Sequence, residues 1–215
     1  MFLTAINGYV DAYTYATHGV FAGAQTGNLI LLSVGLADHP RADALVYLWP
    51  ILAFSAGVVA ARLIERAAGA NGSIFHPLSR VLLLEAGVLA LVGLLPVHIP
   101  QSAITVSIGF TSALQVVLFQ AVKPANFITI AMTGNLMRTI ITAFTALQTR
   151  TSDDTREAAI YASVIVSFAF GAGAGGVITV AMGSSSSLVA AGALALTWGL
   201  LALGHRRYVR RGEVP

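Results

Sequence analysis

The chain has 215 residues, of which 56% are hydrophobic and only 10% are charged, and its mean hydropathy is +0.80. A water-soluble domain of this size could not bury so much apolar surface. These values therefore exclude a water-soluble domain and predict an all-α membrane protein. The net charge of +3 does not indicate nucleic-acid binding, because the basic residues flank apolar segments instead of forming a basic surface. Membrane lipid is the expected partner, and no nucleic acid is expected.

Eight apolar segments follow one another along the chain, at 2–17, 20–37, 44–66, 79–96, 101–121, 125–148, 158–181 and 187–204. A helix needs about 20 residues to cross a bilayer. The stretch from Ala158 to Gly204 contains 47 residues without a charge, so it must hold two helices. The glycine and serine run from Gly183 to Ser187 is the expected point of division.

The basic residues orient these segments, since cytoplasmic connections carry an excess of Lys and Arg. Nine arginines lie in three of the connections and one, Arg41, lies in the other three. The arginine-rich connections, which we assign to the cytoplasm, are 62–80, 149–157 and the C-terminus. The connections that we assign to the outside are 38–43, 97–100 and 182–186. This arrangement predicts about six crossings with both termini in the cytoplasm, the N-terminus being assigned by symmetry.

Two apolar segments separate residue 98, outside, from residue 150, inside, although only an odd number of crossings can join them. One segment is therefore re-entrant, or the two form a broken helix with irregular backbone at mid-depth. Pro124 marks the expected break. By the same logic the first two segments cross once, with a break at His18-Gly19.

An internal repeat relates the two halves of the chain. Gly8-Tyr9-Val10-Asp11-Ala12 precedes Thr26-Gly27-Asn28-Leu29, and Gly109-Phe110-Thr111-Ser112-Ala113 precedes Thr133-Gly134-Asn135-Leu136. The sides of the membrane assigned to the connections also invert: they are outside, inside and outside in the first half, and inside, outside and inside in the second. The pattern predicts two inverted three-helix repeats, residues 1–97 and 98–211, with the first helix of each broken or re-entrant at its Thr-Gly-Asn motif.

Small residues mark the second helix of each half, as Phe54-Ser55-Ala56-Gly57 and as Phe170-Gly171-Ala172-Gly173. The run that starts at Gly171 also fits the spacing of a dinucleotide-binding loop. It lies within the uncharged stretch, however, with neither a strand before it nor an acid after it. Close packing of helices through small residues is the better interpretation.

The motifs resemble those of the YoaK family of uncharacterised bacterial membrane proteins. The residues that carry the resemblance are Gly8, Asp11, Ala12, Gly19, Phe21, Thr26-Gly27-Asn28, Thr133-Gly134-Asn135, and Glu85 within Leu82-Leu83-Leu84-Glu85-Ala86-Gly87. The resemblance covers nearly the whole chain. It implies a multi-pass protein of the bacterial inner membrane with no settled biochemical activity.

The two Thr-Gly-Asn motifs are the expected substrate-binding residues: Thr26, Gly27, Asn28, Thr133, Gly134 and Asn135. Glycine tolerates an unwound backbone, and Thr or Asn can cap the half-helix that follows. In an inverted repeat the two breaks would meet near mid-membrane, where transporters of this architecture bind their substrates. The alternative is that Thr and Asn only form hydrogen bonds between packed helices.

Three charged residues lie within apolar segments, namely Asp11, Glu85 and Arg138. A charge at the centre of a bilayer costs at least about 2.5 kcal/mol, so such residues must be paired, neutral or in contact with water. We assign them to charge or proton coupling. The alternatives are a structural ion pair, or an Arg138 side chain that extends to the membrane interface.

The sequence offers no pattern typical of an enzyme. It contains no cysteine, its five histidines lack metal-ligand spacing, and no Ser, His and Asp arrangement is readable. We therefore expect no catalytic residue, no metal site and no cofactor. The expected function is a small-solute transporter that works by alternating access; the alternatives are a selective channel with paired half-helices and a structural membrane protein. A homodimer is also expected, because six short helices enclose little polar volume.

Overall fold

The computed structural model describes residues 1–38, 44–69, 75–94, 100–122 and 132–210. These residues form helices and turns, and none of them lies in a strand, which confirms the predicted all-helical class. The helices are α1 (Phe2–His18), α2 (Gln25–Asp38), α3 (Leu48–Gly69), α4 (Phe75–Leu94), α5 (Gln101–Val122), α6 (Met132–Thr149), α7 (Ser152–Met182) and α8 (Ser187–Arg210). Short 3₁₀ turns, Leu45–Tyr47 and Gly183–Ser186, precede α3 and α8.

Within the described residues, four helical stretches are long and apolar enough to cross a bilayer. They are Leu45–Ala68, Pro77–Leu94, Gln101–Gln120 and Ser152–Gly204. The last contains 53 residues, more than twice the length of about 20 that one crossing needs, and it includes both α7 and α8. The chain is therefore a helical membrane protein.

Two of the predicted breaks coincide with observed helix ends. α1 ends at His18, where Gly19 has a φ of 70° and its N–H donates to the carbonyl of Tyr15 at 2.9 Å. Glycine is favoured at such left-handed helix ends because it has no Cβ. α7 ends at Met182, followed by Gly183 with a φ of 60°. The third predicted break, at Pro124, lies outside the described residues, as do the 97/98 boundary and Arg41.

Glycines allow α1 to approach the backbone of α7. A Cβ atom built on Gly8 or on Gly171 would overlap the facing carbonyl oxygen, that of Phe168 or of Ala5 respectively. One built on Gly175 would lie 2.6 Å from the carbonyl oxygen of Tyr9. The glycine run in α7 thus packs against a helix, as the sequence indicates.

A corresponding contact joins α3 and α5. A Cβ atom built on Gly57 would lie 2.6 Å from the carbonyl oxygen of Phe110 and 2.7 Å from the Cβ of Ala113. α4 packs against α8, where the indole N–H of Trp198 donates to the hydroxyl of Ser79 at 2.7 Å. The main apolar core lies between α1, α4, α5 and α8 and includes Tyr13, Leu82, Leu89, Ile108 and Leu194.

Candidate functional site

Asp11 holds the segment between α1 and α2 against the middle of α1. Its Oδ1 accepts hydrogen bonds from the backbone N–H of Gly23 at 2.6 Å and of Ala24 at 3.4 Å. The hydroxyl of Thr14 accepts a third, from the N–H of Ala22, at 3.2 Å. Asp11 lies seven residues before His18, which corresponds to about 10 Å along the helix. The segment therefore folds back along α1, and α2 begins beside the middle of that helix.

Asn28 also binds the segment between α1 and α2, at Phe21. Its Oδ1 accepts from the N–H of Phe21 at 2.8 Å, and its Nδ2 donates to the carbonyl of Phe21 at 2.7 Å. A further bond joins Nδ2 to the Oε1 of Gln25 at 2.9 Å. The side chain is fully buried. In this conformation Asn28 supports the segment before α2, and it is not part of the lining of the cavity between α2 and α6.

A cavity of about 640 Å³ lies between the N-terminal ends of α2 and α6. Four of the six predicted motif residues line it: Thr26 and Gly27 from the first half, and Thr133 and Gly134 from the second. The other walls come from α3, α5 and α7, mainly through apolar side chains. Among the described residues, Gln25 and Gln120 are the other polar side chains of the lining. The tertiary structure thus brings the two Thr-Gly pairs to one site.

The cavity extends toward Arg62 on α3. A neighbouring cavity of about 340 Å³ is lined by Val58, Arg62, Val117 and Gln120. Three of these four residues also line the larger cavity, so the two spaces are adjacent. Arg62 forms an ion pair with Glu65 at 2.6 Å. The sequence prediction did not include Gln25, Gln120 or Arg62 among the site residues. Each is a polar or charged side chain within or near the end of an apolar segment, and this feature can be seen in the sequence.

The remaining predicted site residues lie away from the cavity lining. Asn135 is only 3% exposed. Arg138 lies with its guanidinium 5.8 Å from the ring centre of Tyr161, and its Nη1 is 3.4 Å from the hydroxyl of that tyrosine. Among the described residues, Tyr161 is its contact, and neither Asp11 nor Glu85 pairs with it. This contact is a cation–π interaction, which the sequence did not reveal.

Glu85 lies on α4 and is fully buried. Its Oε1 accepts a hydrogen bond from the hydroxyl of Ser112 on α5 at 3.0 Å. Ser112 is the residue that corresponds to Asp11 in the repeat alignment. One buried acid therefore holds the segment before α2, whereas the other joins α4 to α5.

The glycines of the two motifs differ in the space around them, which leads to a prediction. A Cβ atom on Gly27 would lie 2.7 Å from the ring of Phe21, whereas one on Gly134 would meet no atom of the described residues within 4 Å. We expect Gly27→Ala to destabilise the protein by about 1–3 kcal/mol, because the Phe21 ring must move. Gly134→Ala should be neutral or slightly stabilising, since alanine favours a helix. Thermal unfolding in detergent measures both variants, and equal effects would contradict this account.

The fold and the cavity define a multi-pass helical membrane protein with a polar site between the starts of two internal helices. Residues 1–200 match the family model described as "Protein of unknown function (DUF1275)", so the chain belongs to this family. Members of the YoaK family are DUF1275 proteins, and the resemblance noted in the sequence is thereby confirmed. No curated protein and no solved structure matches the chain.

Proposed function

We propose that this protein is a small-solute transporter of the bacterial inner membrane that works by alternating access. The observation that carries the proposal is the shared cavity. Thr26 and Thr133 stand 107 residues apart in the chain, in equivalent motifs, and line the same space. We assign Thr26, Gly27, Thr133 and Gly134 to solute contact. Asn28 and Asn135, which are buried in this conformation, support the two motifs.

The helix contacts support an inverted repeat of three plus three crossings. α1, the first helix of the first half, packs along α7 of the second, and α5, the first helix of the second half, packs along α3 of the first. Exchanging the two halves converts one contact into the other. In the proposed arrangement α1, α3, α4, α5, α7 and α8 cross the membrane. α2 and α6 are half-depth helices that begin at the cavity.

The direction of α1 supports a cytoplasmic N-terminus. Gly171 lies beside Ala5, and Gly175 lies beside Tyr9, so α1 and α7 run in the same direction. The residues that precede α7 include Arg150, in a connection assigned to the cytoplasm by its basic residues. The N-terminus therefore belongs on that side as well. Gln101, at the start of α5, donates to the carbonyl of His18, in agreement with both being near the outer face.

Access to the cavity tests its orientation. The chain contains no cysteine, so single cysteines can be introduced into the otherwise unchanged protein. We expect Thr26→Cys and Thr133→Cys to react with a membrane-impermeant thiol reagent from the cytoplasmic side, because the cavity extends toward Arg62. Leu29→Cys, whose native side chain is 56% exposed outside the cavity, is the control that lipid should protect. Labelling of both threonine positions from the outside alone would contradict this orientation.

Solute binding is tested on the purified protein. Thermal stability is measured against small metabolites and inorganic ions at two pH values, since a ligand of the native state raises apparent stability. We expect at least one stabilising solute, with the effect lost in Thr26→Val and in Thr133→Val. Saturable counterflow of that solute in liposomes would support the transporter. Saturable binding without counterflow, or flux without saturation, would favour the alternative of a selective channel.

The charged residues of the membrane segments complete the proposal. We assign Asp11, Glu85 and Arg138 to charge or proton coupling, since a buried charge must be compensated wherever it lies in a membrane. Nothing in this mechanism requires a catalytic residue. We also propose that the protein is a homodimer. If flux per protein molecule stayed the same when the protein was diluted in liposomes, this result would contradict a functional dimer.

A further inference from the structure

Two buried polar side chains, Glu85 and Ser112, meet at the contact between α4 and α5, and a third, Gln115, follows on α5. Glu85, Ser112 and Gln115 are each at least nine-tenths buried, with exposed fractions of 0%, 4% and 1%. Ser112 and Gln115 are three residues apart and share one face of α5. Among the described residues, Oε2 of Glu85 and Nε2 of Gln115 have no hydrogen-bond partner. The cluster therefore holds a carboxyl group with one bonded oxygen and one unbonded oxygen.

Among the described residues, no cationic side chain forms an ion pair or a hydrogen bond with Glu85. The helices packed against α4 are α3, α5 and α8. α5, from Gln101 to Gln120, and α8, from Ser187 to Gly204, contain no charged residue. On α3, Arg62 is paired with Glu65 and Arg66 is exposed, and Arg80 on α4 itself is also exposed. Tyr9 and Tyr13 of α1 are ionisable side chains of the apolar core that also contains Leu82, Ala86 and Leu89 of α4.

Asp11 provides the contrast. One oxygen of its carboxyl group, Oδ2, is also unbonded among the described residues, but Oδ1 receives two backbone N–H donors, which stabilise a buried negative charge. Glu85 receives one hydroxyl donor. A buried ionised carboxyl without a cation or several donors costs far more than a neutral one. Asp11 therefore also positions a backbone segment, whereas Glu85 bonds to one hydroxyl group and is suited to hold a proton.

We propose that Glu85, with Ser112 and Gln115, forms a proton-binding site, and that Glu85 carries its proton on Oε2 in this conformation. When α4 and α5 move relative to each other and water reaches the site, the O–H bond breaks. The proton passes to a water molecule and leaves a carboxylate, which Gln115 can then stabilise by donating from Nε2. In the reverse step, the carboxylate takes up a proton from water that reaches it from the other side of the membrane.

The position of α5 couples this site to the cavity. Val116 and Gln120, which line the cavity, lie one and five residues beyond Gln115 on the same helix. A movement of α5 that exposes Glu85 therefore also changes the cavity wall. Proton coupling of solute movement rests on the proposed transport function, whereas protonation of Glu85 does not.

Infrared spectroscopy of the purified full-length protein tests the site without any solute. At neutral pH the wild type should show the C=O stretching band of a protonated carboxyl group. Glu85→Gln should abolish the band, Asp11→Asn should retain it, and Ser112→Ala should shift its frequency, because the hydrogen bond to the carboxyl is lost. A band that survives Glu85→Gln, or no band in a folded wild type, would overturn the proposal.

Sodium is the competing occupant, and a second measurement excludes or identifies it. Thermal stability is compared in sodium chloride and in choline chloride. We expect the same unfolding temperature in the two salts. If sodium stabilised the wild type but not Glu85→Gln, the site would bind sodium and the proposal of a proton site would be wrong. A wild type with the carboxyl band but without transport of any solute would contradict the transporter and leave the proton site standing.

Discussion

Replacing Gly171 by alanine is expected to destabilise the protein by about 3 kcal/mol, while the same change at Gly173 should have no effect or the opposite one. A Cβ atom on Gly171 would overlap the carbonyl oxygen of Ala5, and backbone cannot move aside as a flexible side chain can. α1 and α7 would have to separate, which would open the contact along its length. The loss is measured as a lower unfolding temperature in detergent and as a smaller fraction of monodisperse protein.

Gly173 is the matched control for that change. It lies two residues further along the same helix, and a Cβ atom there would meet no atom of the described residues within 4 Å. Alanine favours a helix over glycine by up to about 1 kcal/mol, so Gly173→Ala should be neutral or stabilising. If the two variants unfolded alike, the loss would reflect the composition of the helix and not its contact with α1.

Asn28→Ala is the second substitution expected to have a large effect, roughly 2–4 kcal/mol of lost stability without any solute present. It removes all three hydrogen bonds of the side chain and leaves the N–H and the carbonyl of Phe21 without these partners. The segment between α1 and α2 would then loosen where it borders the cavity. Unfolding of the solute-free protein measures this effect directly.

Two further variants separate support of the segment from contact with solute. Thr26→Ala removes an exposed side chain that lines the cavity, so stability should change by no more than about 0.5 kcal/mol. Asn28→Asp keeps the oxygen that accepts from Phe21 but loses the donor to its carbonyl, and it should be destabilised almost as strongly as Asn28→Ala. A fully stable Asn28→Asp protein would show that the donated bonds contribute little.

Local properties of the sequence accounted for much of the fold. The apolar segments and their charges predicted the all-helical membrane protein, because a bilayer selects helices by length and hydropathy alone. Gly19 and Gly183 marked helix ends since a left-handed turn favours glycine. The small-residue run at Gly171 was recognised as a packing surface, although its partner helix was not predicted.

The contacts between side chains could not be predicted from the sequence in the same way. Arg138 was predicted to take part in charge coupling, to form an ion pair or to extend to the membrane interface; among the described residues it lies against Tyr161, and Glu85 is bonded to Ser112. Asn28, chosen from its motif as a solute contact, is bonded to the backbone of Phe21 in this conformation. The rotation of each helix about its axis decides such contacts, and a nearly uniform apolar segment carries little information about rotation.

The sequence by itself determined that the chain is a membrane protein, that two helices end just before Gly19 and Gly183, and that two equivalent motifs recur. Hydropathy, charge and backbone freedom are properties of a few neighbouring residues, so they can be read along the chain. Only the tertiary structure decided that Thr26 and Thr133 line one cavity and that Asp11 folds a segment back along α1. Those outcomes depend on the packing of helices far apart in sequence, at depths and rotations that no single segment specifies.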